Sequence, residues 1–230
     1  MRVVIAGGHG KIALLVERQL AQRGDQPVAL IRNPDHADEV RDAGAEPVVL
    51  DLESSTPDEV AEHVRGADAV VFAAGAGPNS GAERKRSVDR DAALLLADGA
   101  TRAGVTRYLL VSSMNADEAP TEAEDDSVWG AYLRAKAEAE TELRARRLDL
   151  TILRPGRLTD DEGTRRVALG PPDARVGYGE IPRDDVAAVL VALLDEPATA
   201  GSVLELIGGE DHLPDAVEAV VPHRGGHAPL

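Results

Sequence analysis

Tyr132 and Lys136 are the two residues whose types and spacing most clearly could do chemistry. They stand four residues apart in a segment whose pattern predicts a helix, so both side chains lie on one helical face. A nearby ammonium group favours the phenolate form of tyrosine, which suits the phenol for proton transfer. The chain has only three tyrosines and three lysines, so chance poorly explains the pair. The spacing predicts proton transfer to or from a carbonyl oxygen.

Two serines, Ser112 and Ser113, follow a predicted strand over residues 107–111. A serine hydroxyl at the end of such a strand can bind the oxygen of a substrate carbonyl. Serines are common at strand ends, so these two gain weight only in combination with the tyrosine and lysine. Either serine can fill the role on the sequence alone.

A glycine-rich turn lies at the start of the chain. An apolar strand over residues 3–5 leads into Gly7, Gly10 and Ala13, and a helical pattern follows. A strand that turns tightly into a helix directs unpaired N–H groups at an anion, which suits a pyrophosphate. Gly7 allows the turn, Gly10 lets a phosphate approach the backbone, and Ala13 lets helix and strand pack closely. The pattern predicts a dinucleotide site.

Arg32 indicates which dinucleotide. In dinucleotide-binding folds an acidic residue after the second strand holds the ribose hydroxyls of NAD, but here Arg32 follows the predicted strand 26–31. A guanidinium can bind the adenosine 2′-phosphate through charge-assisted bonds worth about 1.5–3 kcal/mol each. NADP(H) is therefore the expected cofactor. Lys11, in the first helical turn, is expected to strengthen the same positive field.

Two further segments are expected to contact this cofactor. Asp51 and Leu52 follow the third predicted strand, where such folds contact adenine. The small residues Ala73, Ala74 and Gly75 follow the fourth strand and leave room for a ribose against the backbone.

The elements that must position these residues alternate along the whole chain. The predicted strands are 3–5, 26–31, 46–50, 68–73, 107–111, 149–153 and 202–207, and the predicted helices are 57–65, about 83–103, 128–147 and 184–195. Near-continuous apolar strands separated by helices indicate an α/β fold with a doubly wound parallel sheet, the Rossmann fold. We expect a single domain over residues 1–230. Residues from about 154 form its substrate side, and the tail from about 208 is expected to be loosely ordered.

Composition restricts the possible partners and location. A formal charge of −16 argues against nucleic acid, whose phosphates would be repelled. Cysteine is absent, which excludes disulfides, thiol catalysis and cysteine-bound zinc, and no metal site is expected. No apolar run is long enough to cross a bilayer, and no leader precedes the first strand. A cytoplasmic protein without a membrane partner is expected, either a monomer or a homodimer.

Together these motifs resemble an atypical short-chain dehydrogenase/reductase, specifically the short NmrA-like, NAD(P)-binding branch, over almost the whole chain. The segments that carry the resemblance are Gly7-x-x-Gly10-x-x-Ala13, Val111-Ser112-Ser113, Tyr132-x-x-x-Lys136, Arg154-Pro155-Gly156 and Pro182-Arg-Asp-Asp-Val-Ala187. The resemblance implies Ser113 as the catalytic serine, with Ser112 as the alternative, and places Pro155 and Gly156 beside the nicotinamide. The asparagine usual in the family falls on Asp89, which changes the local charge.

The expected site follows from these motifs. Its catalytic residues are Ser113, Tyr132, Lys136 and Asp89, and its cofactor-binding residues are Gly7, His9, Gly10, Lys11, Ile12, Arg32, Asp51, Leu52, Ala73, Ala74, Gly75, Lys136, Pro155 and Gly156. Candidate walls of the substrate pocket are Met114, Trp129, the loop of Leu158 and Thr159, and Tyr178.

The leading hypothesis is an NADPH-dependent reductase of a small carbonyl, quinone or flavin-like substrate, with Tyr132 as proton donor. The alternatives are an NADP(H)-binding redox sensor without turnover and a small epimerase or dehydratase. A short region after the sixth predicted strand suits a small substrate better than a nucleotide sugar.

Overall fold

The computed structural model describes residues 1–77, 79–174 and 176–222. The strands are β1 Arg2–Ala6, β2 Gln26–Ile31, β3 Glu46–Val49, β4 Ala69–Phe72, β5 Arg107–Val111, β6 Asp149–Pro155, β7 Arg157–Thr159, β8 Arg166–Gly170, β9 Glu180–Pro182, β10 Val203–Gly208 and β11 Asp211–His212. The helices are α1 Lys11–Gln22, α2 Ala37–Asp42, α3 Pro57–Val64, α4 Ala82–Arg84, α5 Ala92–Ala103, α6 Val128–Arg144, α7 Arg183–Leu194 and α8 Leu213–Val220, with a π-helical turn over Lys85–Asp91.

Nine of the described strands form one sheet in the order β11-β8-β10-β6-β5-β4-β1-β2-β3. The strands from β10 to β3 are parallel, whereas β8 runs antiparallel to β10. The strand order reverses between β1 and β4, and a crevice beyond the carboxyl ends of the strands is the usual ligand site at such a point. The predicted doubly wound parallel sheet is confirmed.

Both faces of the sheet are covered, which explains why its strands are apolar without alternation. Val3 and Ile5 of β1 belong to one core cluster with buried residues of α1 and α7. Val4 of β1 faces the other way, into a cluster with buried residues of α3, α5 and α6. α3 and α5 approach so closely that a Cβ atom on Gly99 would lie 2.4 Å from Val60 Cγ1.

The segment predicted as a helix over about 83–103 is helical throughout, but its middle is a π-helical turn over Lys85–Asp91. A π-helical turn contains more residues than an α-helical turn, so it changes the direction in which the following side chains point. Lys85 and Asp89 of this turn are both buried. The pattern of apolar residues alone did not indicate this irregularity.

The tail expected to be loosely ordered from about residue 208 is instead folded as far as the described residues extend. β10 continues to Gly208, and β11 and α8 follow. Leu213, Ala216 and Val217 are buried, and α8 packs against β8 and α7. Their spacing forms one apolar helical stripe, which the many Gly, Pro and His residues around it obscured. Residues 223–230 of the predicted tail lie outside the described residues.

Among the described residues, no helix has the length and apolar character that a membrane span requires.

Glu17 is a charged residue inside the apolar packing of α1, which lies against α7. Its side chain is fully buried, and neither carboxylate oxygen has a hydrogen-bond partner. Burial raises the pKa of Glu17 to about 8, an effect that the charge of Arg18 only partly offsets. The carboxyl group is therefore mainly protonated in the folded protein at neutral pH.

This pKa predicts that the protein becomes less stable as the pH rises. Above pH 4.5 the folded state still holds a proton on Glu17 that the unfolded chain has lost. The contribution of Glu17 to the free energy of unfolding is therefore fully present below pH 4.5 and is lost as the pH rises through 8. Between these values the free energy of unfolding should fall by up to about 1.4 kcal/mol per pH unit from this group. Urea unfolding of wild type and Glu17→Gln across this range checks the slope.

Glu17→Gln should remove most of that pH dependence, because the amide does not ionise. The matched control is Glu62→Gln, a substitution at an exposed position of α3, which should keep the wild-type slope. Parallel pH profiles for wild type and Glu17→Gln would contradict the assignment.

Candidate functional site

A continuous cleft runs along the carboxyl ends of the central parallel strands, and we divide it into three sections. The inner section is lined by Gly7 to Gly10, Arg32, Asp51 to Glu53 and Arg84. The middle section is lined by Ala73 to Gly77, Asp89, Ser113, Tyr132, Lys136, Pro155 and Gly156. The outer section is lined by Met114, Trp129, Arg157, Leu158, Tyr178 and Arg183, and has a volume of about 650 Å³. Lys85 and Tyr132 line both the middle and the outer section.

The glycine turn leads from β1 to the N-terminus of α1. Gly7 has a φ of 78°, and a Cβ atom there would lie 2.5 Å from Ala74 Cα. The Gly10 N–H donates to Gly7 O at 2.7 Å, and no side chain caps α1. By contrast, Thr56 caps α3 and Ser127 caps α6. The uncapped first turn of α1 leaves N–H groups available for an anion, so the turn fits a dinucleotide pyrophosphate.

Two arginines converge on one carboxylate in the inner section. Arg32 Nη1 lies 3.0 Å and Arg84 Nη2 lies 2.8 Å from Glu53 Oε2, while Ser87 Oγ donates to Oε1 at 2.7 Å. Burial alone would raise the pKa of Glu53, but the bonds from Ser87 and Arg84 and the charges of both arginines lower it overall. Two guanidinium groups therefore face this section, and the carboxylates of Glu53 and Asp51 in the same lining balance their charge.

Arg84 is a residue that sequence reasoning missed. It belongs to α4, far from the second strand along the chain, and no motif marks it. The fold brings it beside Arg32, where both contact Glu53.

The other predicted contacts at this end are partly brought together. His9 lines the inner section and stacks on His36, with ring centroids 3.5 Å apart. Asp51 also lines it, and its carboxylate accepts the Glu53 N–H at 3.0 Å. Lys11 does not line the cleft, because its ammonium lies 2.5 Å from Asp160. The predicted contribution of Lys11 to the phosphate field therefore lacks structural support.

The remaining predicted cofactor contacts are in the cleft. Leu52, Ala73, Ala74 and Gly75 line the inner section, and Ile12, Lys136, Pro155 and Gly156 line the middle section.

Tyr132 lies on α6 near two ammonium groups. Lys136 Nζ lies 5.7 Å and Lys85 Nζ lies 5.3 Å from the centre of its ring. The ring of Trp129, one turn earlier on the same helix, is 5.2 Å away at an angle of 31°. The phenol is only half-buried, so a ligand in the cleft can reach it.

Lys136 is buried and held by two neighbours. Its Nζ donates to Val111 O at 3.1 Å and lies 3.1 Å from Asp89 Oδ1. Burial lowers the pKa of Lys136, but the attraction of Asp89, with smaller contributions from Tyr132 and Glu140, raises it overall. Asp89 Oδ2 accepts the Ala76 N–H at 3.2 Å. Asp89 therefore compensates the charge of Lys136 and connects the Lys136 side chain to the loop after β4.

The two candidate serines point into different surroundings. Ser112 is buried, and its hydroxyl donates to Glu140 Oε1 at 2.6 Å. The same carboxylate accepts two bonds from Arg154, at 2.9 and 2.7 Å, so Ser112 belongs to a buried ion-pair network. Ser113 is half-buried and lines the middle and outer sections. Ser113 is therefore the serine whose hydroxyl is available to a ligand.

The outer section contains a cation that sequence reasoning also missed. Lys85 is only 7% exposed, and its Nζ donates to Gly77 O at 2.7 Å. Four predicted wall residues line this section, namely Met114, Trp129, Leu158 and Tyr178, whereas Thr159 does not. Within the described ranges, no group of three His, Asp or Glu side chains could hold a metal ion.

Comparisons with known proteins support the fit of this cleft to a nicotinamide dinucleotide. A family model described as NAD(P)H-binding matches residues 7–197. The chain is 32% identical over 223 residues to the uncharacterized sugar epimerase YhfK of Bacillus subtilis, covering 95% of this chain and 99% of that protein. The matched range begins at the glycine turn and includes both lysines and the tyrosine of the middle section.

Two solved structures extend the comparison to the fold. The oxidoreductase ylbE of Lactococcus lactis has a TM-score of 0.84 at 25% identity, covering 99% of this chain and 100% of that one. ChuY, an anaerobillin reductase of Escherichia coli, has a TM-score of 0.74 at 26% identity, covering 90% of this chain and 97% of that one.

The buried network around Glu140 predicts that its ion pairs stabilise the fold more than an exposed ion pair on the same helix does. Glu140→Ala should lower the free energy of unfolding by about 3–5 kcal/mol, because it removes the buried partner of Arg154 and leaves only the exposed carboxylate of Asp117. Ser112→Ala should cost about 1.5–3 kcal/mol, the value of a bond to a charged group. Glu138→Ala on the same helix removes an exposed ion pair with Arg90 and should cost less than about 1 kcal/mol. Urea unfolding measures all three, and equal costs for Glu140→Ala and Glu138→Ala would refute the network's importance.

Proposed function

The chain belongs to the NAD(P)H-binding family, and from that membership we propose that it is an NADPH-dependent reductase of a small carbonyl or quinone-like substrate. Tyr132 is the proton donor in this proposal. The observation that carries it is the position of Tyr132, which lies near the ammonium groups of Lys85 and Lys136 and lines both the middle and the outer section. A substrate in the outer section would thus have its carbonyl oxygen close to a phenol and to Ser113.

The residues of the cleft have separate parts in this reaction. When bound, NADPH supplies the hydride. The uncapped N-terminus of α1 binds the pyrophosphate. Lys136 has one N–H beyond those directed at Val111 and Asp89, and that N–H is suited to a ribose hydroxyl.

The substrate carbonyl is held and protonated by two side chains. The Ser113 hydroxyl donates a hydrogen bond to the carbonyl oxygen and stabilises the negative charge that develops there. Tyr132 transfers its phenolic proton to the same oxygen. Asp89 contacts neither substrate nor these hydroxyls in this scheme, and it acts by positioning Lys136.

The preference for NADPH is inferred from the two arginines of the inner section. Arg32 is exposed, and its guanidinium together with that of Arg84 faces the end of the cleft where a 2′-phosphate would lie. Each guanidinium directs one nitrogen at the same oxygen, Glu53 Oε2, so both arginines keep N–H donors for a phosphate dianion. A ribose hydroxyl would accept fewer bonds from these guanidinium groups than a phosphate, and weaker ones.

A small epimerase is the second candidate, because a relative over nearly the full length is named a sugar epimerase. We favour the reductase because the described residues after β6 mainly extend the sheet through β8, β10 and β11 and form no separate lobe for a nucleotide sugar. The two candidates differ in cofactor balance. A reductase consumes one NADPH per substrate, whereas an epimerase returns its cofactor unchanged.

Substitutions at the phenol and the serine test the proposed chemistry. Tyr132→Phe should lower kcat by about 10²–10⁴-fold, the usual contribution of a general acid. Ser113→Ala should lower kcat by about 10²-fold through loss of a donor to the developing charge. NADPH oxidation across a panel of carbonyls and quinones measures both effects.

The controls for these substitutions are a second tyrosine and the neighbouring serine. Tyr108 is buried, does not line any of the three sections and donates to Ala93 O, so Tyr108→Phe should keep the wild-type rate. Ser112→Ala should lose stability but keep kcat. Unchanged turnover in Tyr132→Phe would eliminate Tyr132 as the proton donor, and NADPH binding without oxidation of any substrate would favour a redox sensor.

Substitutions in the inner section test cofactor choice. Wild type should bind NADPH at least about tenfold more tightly than NADH, the lower end of one charge-assisted phosphate contact. Arg32→Ala should remove most of this preference and leave NADH affinity nearly unchanged, and Arg84→Ala should reduce the preference as well. The preference should weaken as salt rises, because exposed charges are screened.

Titration of both cofactors by calorimetry supplies the measurement. Arg41→Ala is the matched control, because Arg41 is an exposed arginine of α2 that pairs with Asp38 outside the cleft. Equal affinities of wild type for the two cofactors would show that the arginines do not bind a 2′-phosphate.

A further inference from the structure

Lys85 is an almost fully buried cation beside the reactive phenol. Its Nζ donates to one backbone oxygen, Gly77 O, and among the described residues no carboxylate lies within ion-pair distance of it. Lys136, the other buried lysine of the cleft, is paired with Asp89. Burying an ammonium without a counter-charge is costly, so Lys85 is suited to an anion that enters from the cleft.

The other cations of the outer section are already paired. Arg157 pairs with Glu180, and Arg183 lies 2.5 Å from Asp160. No aspartate or glutamate is among the described residues that line this section. The section therefore offers a local positive charge in a chain whose formal charge is −16.

Aromatic side chains are concentrated in the same place. The chain has five aromatic residues, and three of them, Trp129, Tyr132 and Tyr178, line the outer section. Trp129 is 55% and Tyr178 69% exposed, although large aromatic side chains usually avoid water. Exposed rings around a concave surface are suited to stacking on a flat ligand.

We propose that the outer section binds a flat, conjugated carbonyl compound that carries an acidic group, and that Lys85 binds that group. This inference rests on the proposed reductase and narrows its substrate class. Lys85 has two N–H donors besides the one directed at Gly77, which allows a charge-assisted bond to a carboxylate. With the acidic group on Lys85, the ring system lies against Trp129 and its carbonyl lies beside Tyr132.

The test compares two flat probes of the same shape, 9,10-anthraquinone-2-carboxylate and its uncharged 2-carboxamide. Binding is followed by quenching of the fluorescence of Trp129, the single tryptophan of the chain. Wild type should bind the acid about tenfold or more tightly than the amide. Lys85→Met should remove this preference and leave affinity for the amide unchanged, and Lys85→Arg should restore most of the preference.

A control variant distinguishes a specific effect of Lys85 from a general effect of net charge. A second condition distinguishes failure of the Lys85 assignment from failure of the reductase proposal. Arg102→Gln, an exposed α5 residue paired with Asp58, changes net charge equally and should keep the wild-type preference. The titrations are made without cofactor and again with NADP⁺, so they read probe binding independently of turnover. Failure of the reductase proposal appears as absence of NADPH oxidation, whatever the probes do.

Several results would overturn the assignment of Lys85. Equal affinity of wild type for acid and amide would show that the section does not select an anion. Equal weakening of both probes in Lys85→Met would indicate that Lys85 only supports the Gly77 loop. Failure of both probes to quench Trp129 would rule out a flat aromatic ligand in this section.

Discussion

The buried ion pair between Lys136 and Asp89 joins four of the segments that shape the middle of the cleft. Lys136 belongs to α6 and also bonds the end of β5 through Val111 O. Asp89 belongs to the π-helical turn and also holds the loop after β4 through the Ala76 N–H. Separating such a buried pair typically costs about 3–5 kcal/mol, so the pair fixes the distance between α6 and the π-helical turn. The geometry around Tyr132 depends on that distance.

The pair also determines which charge faces a ligand. Because Asp89 compensates Lys136, the familiar tyrosine–lysine spacing contributes little net charge to the cleft. Two other cations lie on the segment between β4 and α5: Lys85 has no carboxylate partner among the described residues, and Arg84 shares Glu53 with Arg32. One segment thus supplies positive charge to both ends of the cleft, within a strongly acidic protein. Its local field, rather than the net charge, decides which anions bind.

The sequence was sufficient for the sheet and for most of the helices around it. β1, β2, β4 and β5 are short apolar runs buried on both faces, so composition alone identifies them. It was insufficient for β7, β8, β9 and β11, which are short and depend on pairing with distant segments. The π-helical turn was also missed, because a shift of backbone hydrogen bonds leaves little trace in apolar periodicity.

Within the site, motif residues were predictable and the partners of charged side chains were not. Ser112 and Ser113 are adjacent, so the sequence could not decide between them until Glu140 was seen to hold Ser112. Lys11 follows the glycine turn as expected, but Asp160, from a distant part of the chain, holds its ammonium outside the cleft. Arg84 and Lys85 carry no motif at all, and only the packing of the chain reveals them.

The two edge strands of the nine-stranded sheet determine whether copies of this protein can associate by strand pairing. An edge strand with free backbone groups is a template for pairing with another chain and so for aggregation. One edge here is β3, where Pro47 lacks an N–H group, and the other is β11, which has two residues. Neither edge offers a long ladder to an incoming strand. Self-association by extension of the sheet is thus disfavoured at these two edges.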